Sequence, residues 1–255
     1  MTNHNNEHVM RGGISVETQH IFPIIKKWLY SEKDIFLREL VSNAADAVTK
    51  HKRLVSLGEI ESGEEESYRI TVTLDKTAGT LTVSDNGIGM TEEEVTRYLG
   101  NIALSGALDF IHKYEGEQEK NAASGIIGHF GLGFYSAFMV ADSIEVITRS
   151  YTGGETVRWV CSADGSYKFT DAPYALHRGT DIILHVTEEE SAYLSATKVK
   201  EMLDKYCSFM PTEIYFVDAD AEETKEDAPE GEEGEDKTPA EPTPINDVTP
   251  LWQKA

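Results

Sequence analysis

Three short stretches of the 255-residue chain carry side chains that could do chemistry together. The first is Asp85-Asn86-Gly87-Ile88-Gly89-Met90, which reads as a strand end followed by a loop before a capped helix. A carboxylate at that place, with glycines opening access, can accept a hydrogen bond from an exocyclic amine. Such a charge-assisted bond contributes about 1.5–3 kcal/mol, and it favours adenine over guanine, which puts a carbonyl oxygen at the same edge. Taken alone, these residues also make an ordinary Asn-Gly turn. The second stretch is a polar stripe, Glu39, Asn43, Asp46 and Lys50, spaced i, i+4, i+7 and i+11 and so sharing one helix face. A solvated face has the same pattern, but Asn43-Ala44-Ala45 sets small residues among apolar flanks, as close approach of a ligand requires. The third is Gly128-His129-Phe130-Gly131-Leu132-Gly133, a GxxGxG run whose backbone N–H groups can reach anionic oxygens. A helix over Phe134–Val140 would aim its N-terminus at them; a plain surface loop is the alternative. No GxxxxGK[ST] occurs, so a P-loop is excluded. Ser136 stands where the dinucleotide fingerprint needs Gly or Ala. His4-Asn5-Asn6-Glu7-His8 formally matches HxxEH, but its Asn and Thr neighbours offer no apolar stripe to dock a zinc-binding helix, and no zinc site is expected.

The elements that must position these groups follow from hydrophobic periodicity. A helix is expected over about 19–30, with Ile21, Ile25, Trp28 and Leu29 on one side. A longer helix runs from about Glu32 to Leu57, where Phe36, Leu40, Ala44 and Val48 recur every four residues and Gly58 ends the run. Tyr68, Ile70, Val72 and Leu74 alternate with polar residues as a half-buried strand, and Leu81 and Val83 form its antiparallel partner. Thr91 and Glu94 have capping-box spacing. Further strands are expected at 144–149, 156–161, 181–186 and 213–217, with Gly153-Gly154 turning between the first two and a helix over about 193–209. After Asp218 the periodicity stops and Pro, Glu, Asp and Gly dominate. The domain boundaries expected are a disordered start at 1–12, a folded domain at 13–217, an acidic linker at 218–247, and at 248–255 the opening of a further domain, announced by Pro250-Leu251-Trp252.

Composition narrows the function classes. Forty-five acids against 23 bases give a formal net charge of −22, which argues against neutralising a nucleic-acid backbone. Thirteen acids and three bases fall after Val217. The two cysteines, Cys161 and Cys207, form no CxxC pair and no disulfide framework. No apolar run approaches membrane-spanning length and no signal-peptide core opens the chain, so a cytoplasmic location is expected.

In the order ExxxN, DxGxG, GxxGxG and then Gly179-Thr180, the motifs resemble the GHKL-type ATP-binding fold shared by gyrase-type topoisomerases, 90-kDa heat-shock chaperones, sensor histidine kinases and MutL-type repair proteins. Residues 30–47, YSEKDIFLRELVSNAADA, together with 99–106 and 128–136, narrow the resemblance to the N-terminal domain of the heat-shock protein 90 family, over about residues 12–217. The resemblance implies an α/β (α+β) two-layer sandwich with a mostly antiparallel sheet and helices on one face. It implies an ATPase that binds ATP or ADP with Mg²⁺. Glu39 takes the general-base position and Asn43 the Mg²⁺-ligand position. Asp85 takes the adenine-amine position, supported by Thr180, with Gly89 and Met90 bordering the base. Asp46 and Lys50 match positions near ribose and phosphates, and Gly131, Gly133 and Phe134 match phosphate-holding amides. Residues from about Leu99 to Gly133 match a lid over the nucleotide. Tyr98 and Leu104 depart from the family's usual Asn and Lys, so neither is assigned a contact. The resemblance further implies client proteins as partners, no nucleic acid or membrane partner, a homodimer of the full-length protein through a missing C-terminal domain, a monomeric fragment, and slow hydrolysis without the middle domain. A histidine-kinase-type catalytic domain and a non-catalytic ATP-sensing module are the alternatives; the wording of residues 30–47 speaks against the first.

Overall fold

The computed structural model describes residues 33–60, 67–100, 133–223 and 243–249. The expected helix over 19–30, the HxxEH pattern, Gly131 and Leu104 lie outside the described residues. The long helix, α1 (Ile35–Ser56), buries Phe36, Leu37, Leu40, Val41, Ala44, Ala45 and Val48, as its repeat requires. Its N-terminus has no side-chain cap; Asp34 instead accepts from Tyr193 Oη (2.9 Å) and Lys198 Nζ (2.8 Å) and so ties α1 toward a later helix.

Seven strands form one sheet: β1 (Arg69–Asp75), β2 (Thr80–Asp85), β3 (Ala141–Arg149), β4 (Val157–Ser162), β5 (Tyr167–Thr170), β6 (Gly179–Val186) and β7 (Glu213–Asp218), in spatial order β5-β4-β3-β6-β2-β1-β7. Every pairing is antiparallel except β1 with β7. Helices α2 (Glu92–Tyr98) and α3 (Ala196–Cys207) and a short α4 (Ala219–Glu223) complete the regular structure with two 3-10 segments, Gly133–Met139 and Glu188–Tyr193. The mixed, mostly antiparallel architecture agrees with the sequence reading. The capping box of α2 forms as well, with Glu94 N–H donating to Thr91 Oγ1 (3.2 Å) and Thr91 N–H to Glu94 Oε2 (2.8 Å).

Register decides what the covered face offers. Leu74, Leu81, Leu184, Ile144 and Cys161 stand opposite one another as one row across β1, β2, β6, β3 and β4. Val72, Val83, Ile182, Val146 and Trp159 form the next. Both rows are buried, and each side chain packs against its cross-strand neighbours. The third row reads Ile70, Asp85, Thr180, Thr148 and Val157. The same face thus turns polar at its centre in that row.

Three local features go beyond or differ from the sequence pattern. The helix expected over Phe134–Val140 is instead a 3-10 segment, Gly133–Met139, in which Ser136 Oγ donates to Gly133 O (2.5 Å). Strand β5 went unread because it is a four-residue edge strand. The stretch assigned to the acidic linker is anchored at both ends. Asp220 accepts from Lys76 N (2.6 Å), Thr77 N (3.3 Å) and the Thr77 hydroxyl. The buried Asn246 accepts from Ile214 N (2.8 Å) and donates to Met210 O (3.0 Å) and Thr212 O (2.8 Å), beside an Ile245 N to Ile214 O bond of 2.8 Å. A carboxamide has the donors and acceptor this requires, and composition alone does not reveal it. Asn246→Ala strands three backbone groups and is expected to lower unfolding free energy by about 1–3 kcal/mol in urea denaturation; an unchanged midpoint would show that the return of 243–249 adds nothing to the domain.

Candidate functional site

Helix α1 meets the sheet's polar row through Gly87. A Cβ there would lie 2.4 Å from the Ala47 carbonyl carbon and 2.6 Å from Val48 N, so only glycine lets the loop touch the helix backbone. Ile88 N–H then donates to Ala47 O (3.0 Å). Gly179 does the same between strands. Its φ is +109°, and a Cβ would stand 2.0 Å from Asp85 O. Asn86 is structural: its Oδ1 accepts from Arg69 N (2.9 Å) and its Nδ2 donates to Ser67 O (2.8 Å), pinning the loop to the start of β1.

Asp85 is therefore held at a fixed place at the tip of β2. Its Oδ1 accepts from Gly87 N–H (2.8 Å), and that is the one hydrogen bond it makes among the described residues. Desolvation raises its pKa to about 7; the Gly87 N–H opposes this, Asp181 adds to it, and Arg178 opposes it. Part of its surface stays open, so a ligand can supply the donors the protein withholds. Gly89 (φ +63°) packs against Arg149, and Met90 N–H donates to Thr148 Oγ1 (3.0 Å).

The other end of the site lies two turns back along α1. Glu39 Oε1 accepts from Arg38 Nη2 (2.5 Å) and Nε (3.2 Å), whereas Oε2 faces Gly133, where a Cβ would come within 2.4 Å of it. Gly133 and Glu39 thus lie against one another. Eight residues separate Glu39 from Ala47, roughly 12 Å along a helix at 1.5 Å per residue. Asn43 lies between them, half-buried, and its carboxamide has no hydrogen bond among the described residues. Asp46 is buried and Lys50 half-buried, one and two turns on. The Phe134 side chain is buried against the Tyr135 and Trp159 rings, so only its main chain remains for a ligand. A seven-residue 3-10 segment does not supply the α-helix N-terminus expected there.

Sequence reading missed two residues. Thr148, fully buried, lay unnoticed in the apolar run of β3; a hydroxyl at an inward strand position was the available signal. Arg178 precedes Gly179-Thr180; its Nη2 donates to Asn86 O (2.7 Å) and its Nη1 contacts the buried His51 ring. No signal short of the fold would have joined it to α1.

The face of α1, the tip of β2 and Gly133 therefore border one region, polar at its base. Comparison with known proteins agrees. The family described as "Histidine kinase-, DNA gyrase B-, and HSP90-like ATPase" matches residues 30–177. The chain is 46% identical over 245 residues to "Chaperone protein HtpG" of Porphyromonas gingivalis, covering 96% of this chain and 34% of that protein. It is 46% identical over 248 residues to the protein so named from Bacteroides fragilis (96% and 34%), and 41% identical over 248 residues to that from Pseudoalteromonas translucida (95% and 37%). The chain spans about a third of the length of these curated relatives. With the family match covering more than half its length, the chain belongs to the histidine kinase-, DNA gyrase B- and HSP90-like ATPase family.

Proposed function

We propose that this chain is the nucleotide-binding domain of an ATP-dependent protein-folding chaperone. The observation that carries the reading is Asp85, a carboxylate fixed at the polar row, with one protein donor and an open side. Its ionised form accepts from the adenine amine, Thr180 supports that edge, and Gly89 and Met90 border the base. The glycine arc with Gly131, Gly133 and the Phe134 main chain holds phosphates, and Asp46 and Lys50 serve the ribose and phosphate side. Glu39 Oε2, left outside the Arg38 pair, orients and deprotonates the attacking water.

Mg²⁺ suits this donor set. Among the described residues no group of three His, Cys, Asp or Glu could hold a metal alone, whereas a carboxamide oxygen with no protein partner matches an ion that keeps several waters and binds chiefly through phosphates. Asn43 would hold it, and bound there it supplies charge neutralisation at the phosphate oxygens.

Relatives named as chaperones favour client proteins as partners; a homodimer of the full-length protein through a C-terminal domain is part of the same proposal. No described helix is long and apolar enough to cross a membrane, and a cytoplasmic setting is part of the same proposal. The direct test is calorimetric titration with Mg-ADP and Mg-GDP. Mg-ADP is expected to bind at least about tenfold more tightly, the 1.4 kcal/mol margin that one charge-assisted bond supplies. Equal affinities, or no binding of either, would overturn the reading.

A further inference from the structure

We infer that Thr148 is a positioning residue that sets the hydrogen-bond polarity of the purine edge, making the site select an amine over a carbonyl. The inference rests on the nucleotide reading above and extends it to a residue that need not touch the ligand.

The argument is proton arithmetic. Thr148 is fully buried, and its Oγ1 meets three groups: Met90 N (3.0 Å), Gly179 O (3.0 Å) and Thr180 Oγ1 (2.9 Å). A hydroxyl has one hydrogen and two lone pairs. A backbone N–H can only donate, so Met90 takes one lone pair. A carbonyl can only accept, so Gly179 takes the hydrogen. One lone pair is left, and the third contact is satisfied only if Thr180 donates. The Thr180 hydrogen is thereby turned toward Thr148, and Thr180 Oγ1 keeps only acceptor capacity.

Thr180 stands directly opposite Asp85 on one side and Thr148 on the other in the β2-β6-β3 register. At pH 8, where Asp85 is largely ionised, the purine edge of the site therefore presents two acceptors, the Asp85 carboxylate and the Thr180 oxygen. A 6-amino group, or a water bridging to it, brings the hydrogens both need. A 6-oxo group brings another acceptor and finds no donor there. Asp85 alone would favour the amine, but a Thr180 hydroxyl free to rotate would offer a 6-oxo purine a compensating donor. Thr148 removes that option.

Mg-IDP is the suitable probe, because it replaces the 6-amino group of ADP by oxygen, with a hydrogen on N1, without adding the 2-amino group of guanine. The N1 change is the same for every variant, so a difference in the ratio between wild type and Thr148→Val does not come from it. The 255-residue wild type, Thr148→Val, Thr148→Ser, Thr180→Val and Asp85→Asn are titrated with Mg-ADP and Mg-IDP at pH 8. Thr148→Val, nearly isosteric, is expected to lower the ADP-over-IDP affinity ratio at least about fivefold, and Thr148→Ser to restore the wild-type ratio. A residue that only supports the fold would weaken both ligands in proportion and leave the ratio where it was; that result overturns the inference. Should Thr148→Val fail to fold, Thr180→Val deletes the acceptor while leaving Met90 N–H and Gly179 O their Thr148 partner, and an unchanged ratio there is equally fatal. Asp85→Asn separates the two layers. If wild type ignores Mg-ADP, or Asp85→Asn binds it as wild type does, the nucleotide reading falls and takes this inference with it. If Asp85→Asn loses affinity and the Thr148 ratio stays fixed, only the inference falls.

Discussion

Replacing Glu39 by Gln in the intact protein is expected to lower ATP turnover by about 10²–10⁴-fold, the range removed with a general base, while Mg-ADP affinity stays within about twofold. The two carboxylate oxygens of Glu39 have different tasks. Oε1 is taken by the Arg38 guanidinium, and Oε2 lies against Gly133 at the end of the glycine arc. In the proposed site the phosphates are held by main-chain groups, so removing the charge should leave the ground-state phosphate contacts in place. Gln keeps the size and the reach of the side chain, but it cannot take a proton from water. The loss must therefore fall on kcat and leave nucleotide binding intact, the pattern of an interaction made in the transition state. Steady-state phosphate release, paired with calorimetric Mg-ADP titration, separates the two quantities. A variant retaining more than a tenth of wild-type turnover would remove Glu39 from the chemistry, and one that loses ADP affinity in parallel would make it a binding residue instead. The Arg38 pair itself is partly exposed and contributes little to stability.

Periodicity was sufficient for the scaffold because burial imposes it. The four-residue recurrence of Phe36, Leu40, Ala44 and Val48 is the buried side of α1, and the alternation of Ile70, Val72 and Leu74 is the buried face of β1. The motif residues Glu39, Gly87, Asp85 and Gly179 were legible for a related reason. Glycine at a close approach and a carboxylate at a strand tip are chemically unusual where they stand, so local wording exposes them. Thr148 is different, because its meaning lies in which residues face it across two strands. Asn246 is different again, since one carboxamide in an acidic, proline-rich stretch looks solvated until the chain folds back onto Ile214. Both depend on register and long-range return, and those are properties of the assembled sheet.

The sheet also accounts for why the proposed ligand site falls at this end. Two rows of aliphatic and aromatic side chains fill the covered face, and the next places Asp85, Thr180 and Thr148 at the same height. Buried polar groups are costly unless bonded. Thr148 and Thr180 satisfy each other, whereas Asp85 has a single donor among the described residues. The unmet demand is concentrated in one carboxylate, which is where a ligand's donor gains most.

That concentration makes Asp85→Asn the second large effect, and gives it a pH signature. Loss of one charge-assisted bond of about 1.5–3 kcal/mol raises the Mg-ADP dissociation constant about 10- to 150-fold at pH 8. In wild type, burial raises the Asp85 pKa to about 7 from an ordinary 3.8. Only the ionised form gives the full bond, so the apparent affinity scales with the ionised fraction. It should therefore climb as pH rises through 7, level above about 8, and be roughly tenfold weaker at pH 6. The phosphates of ADP titrate as well, but they do so identically against Asp85→Asn, so the difference between the two curves isolates Asp85. Stability runs the other way. Between pH 3.8 and 7 the folded state holds a proton on Asp85 that the unfolded chain has released, so this group's contribution to stability falls as pH rises through that window. Asp85→Asn should accordingly bind worse yet unfold at higher urea than wild type at pH 8, with the stability gap closing toward pH 5. A variant that binds Mg-ADP with the wild-type pH curve would show that the carboxylate at the tip of β2 is not the adenine acceptor.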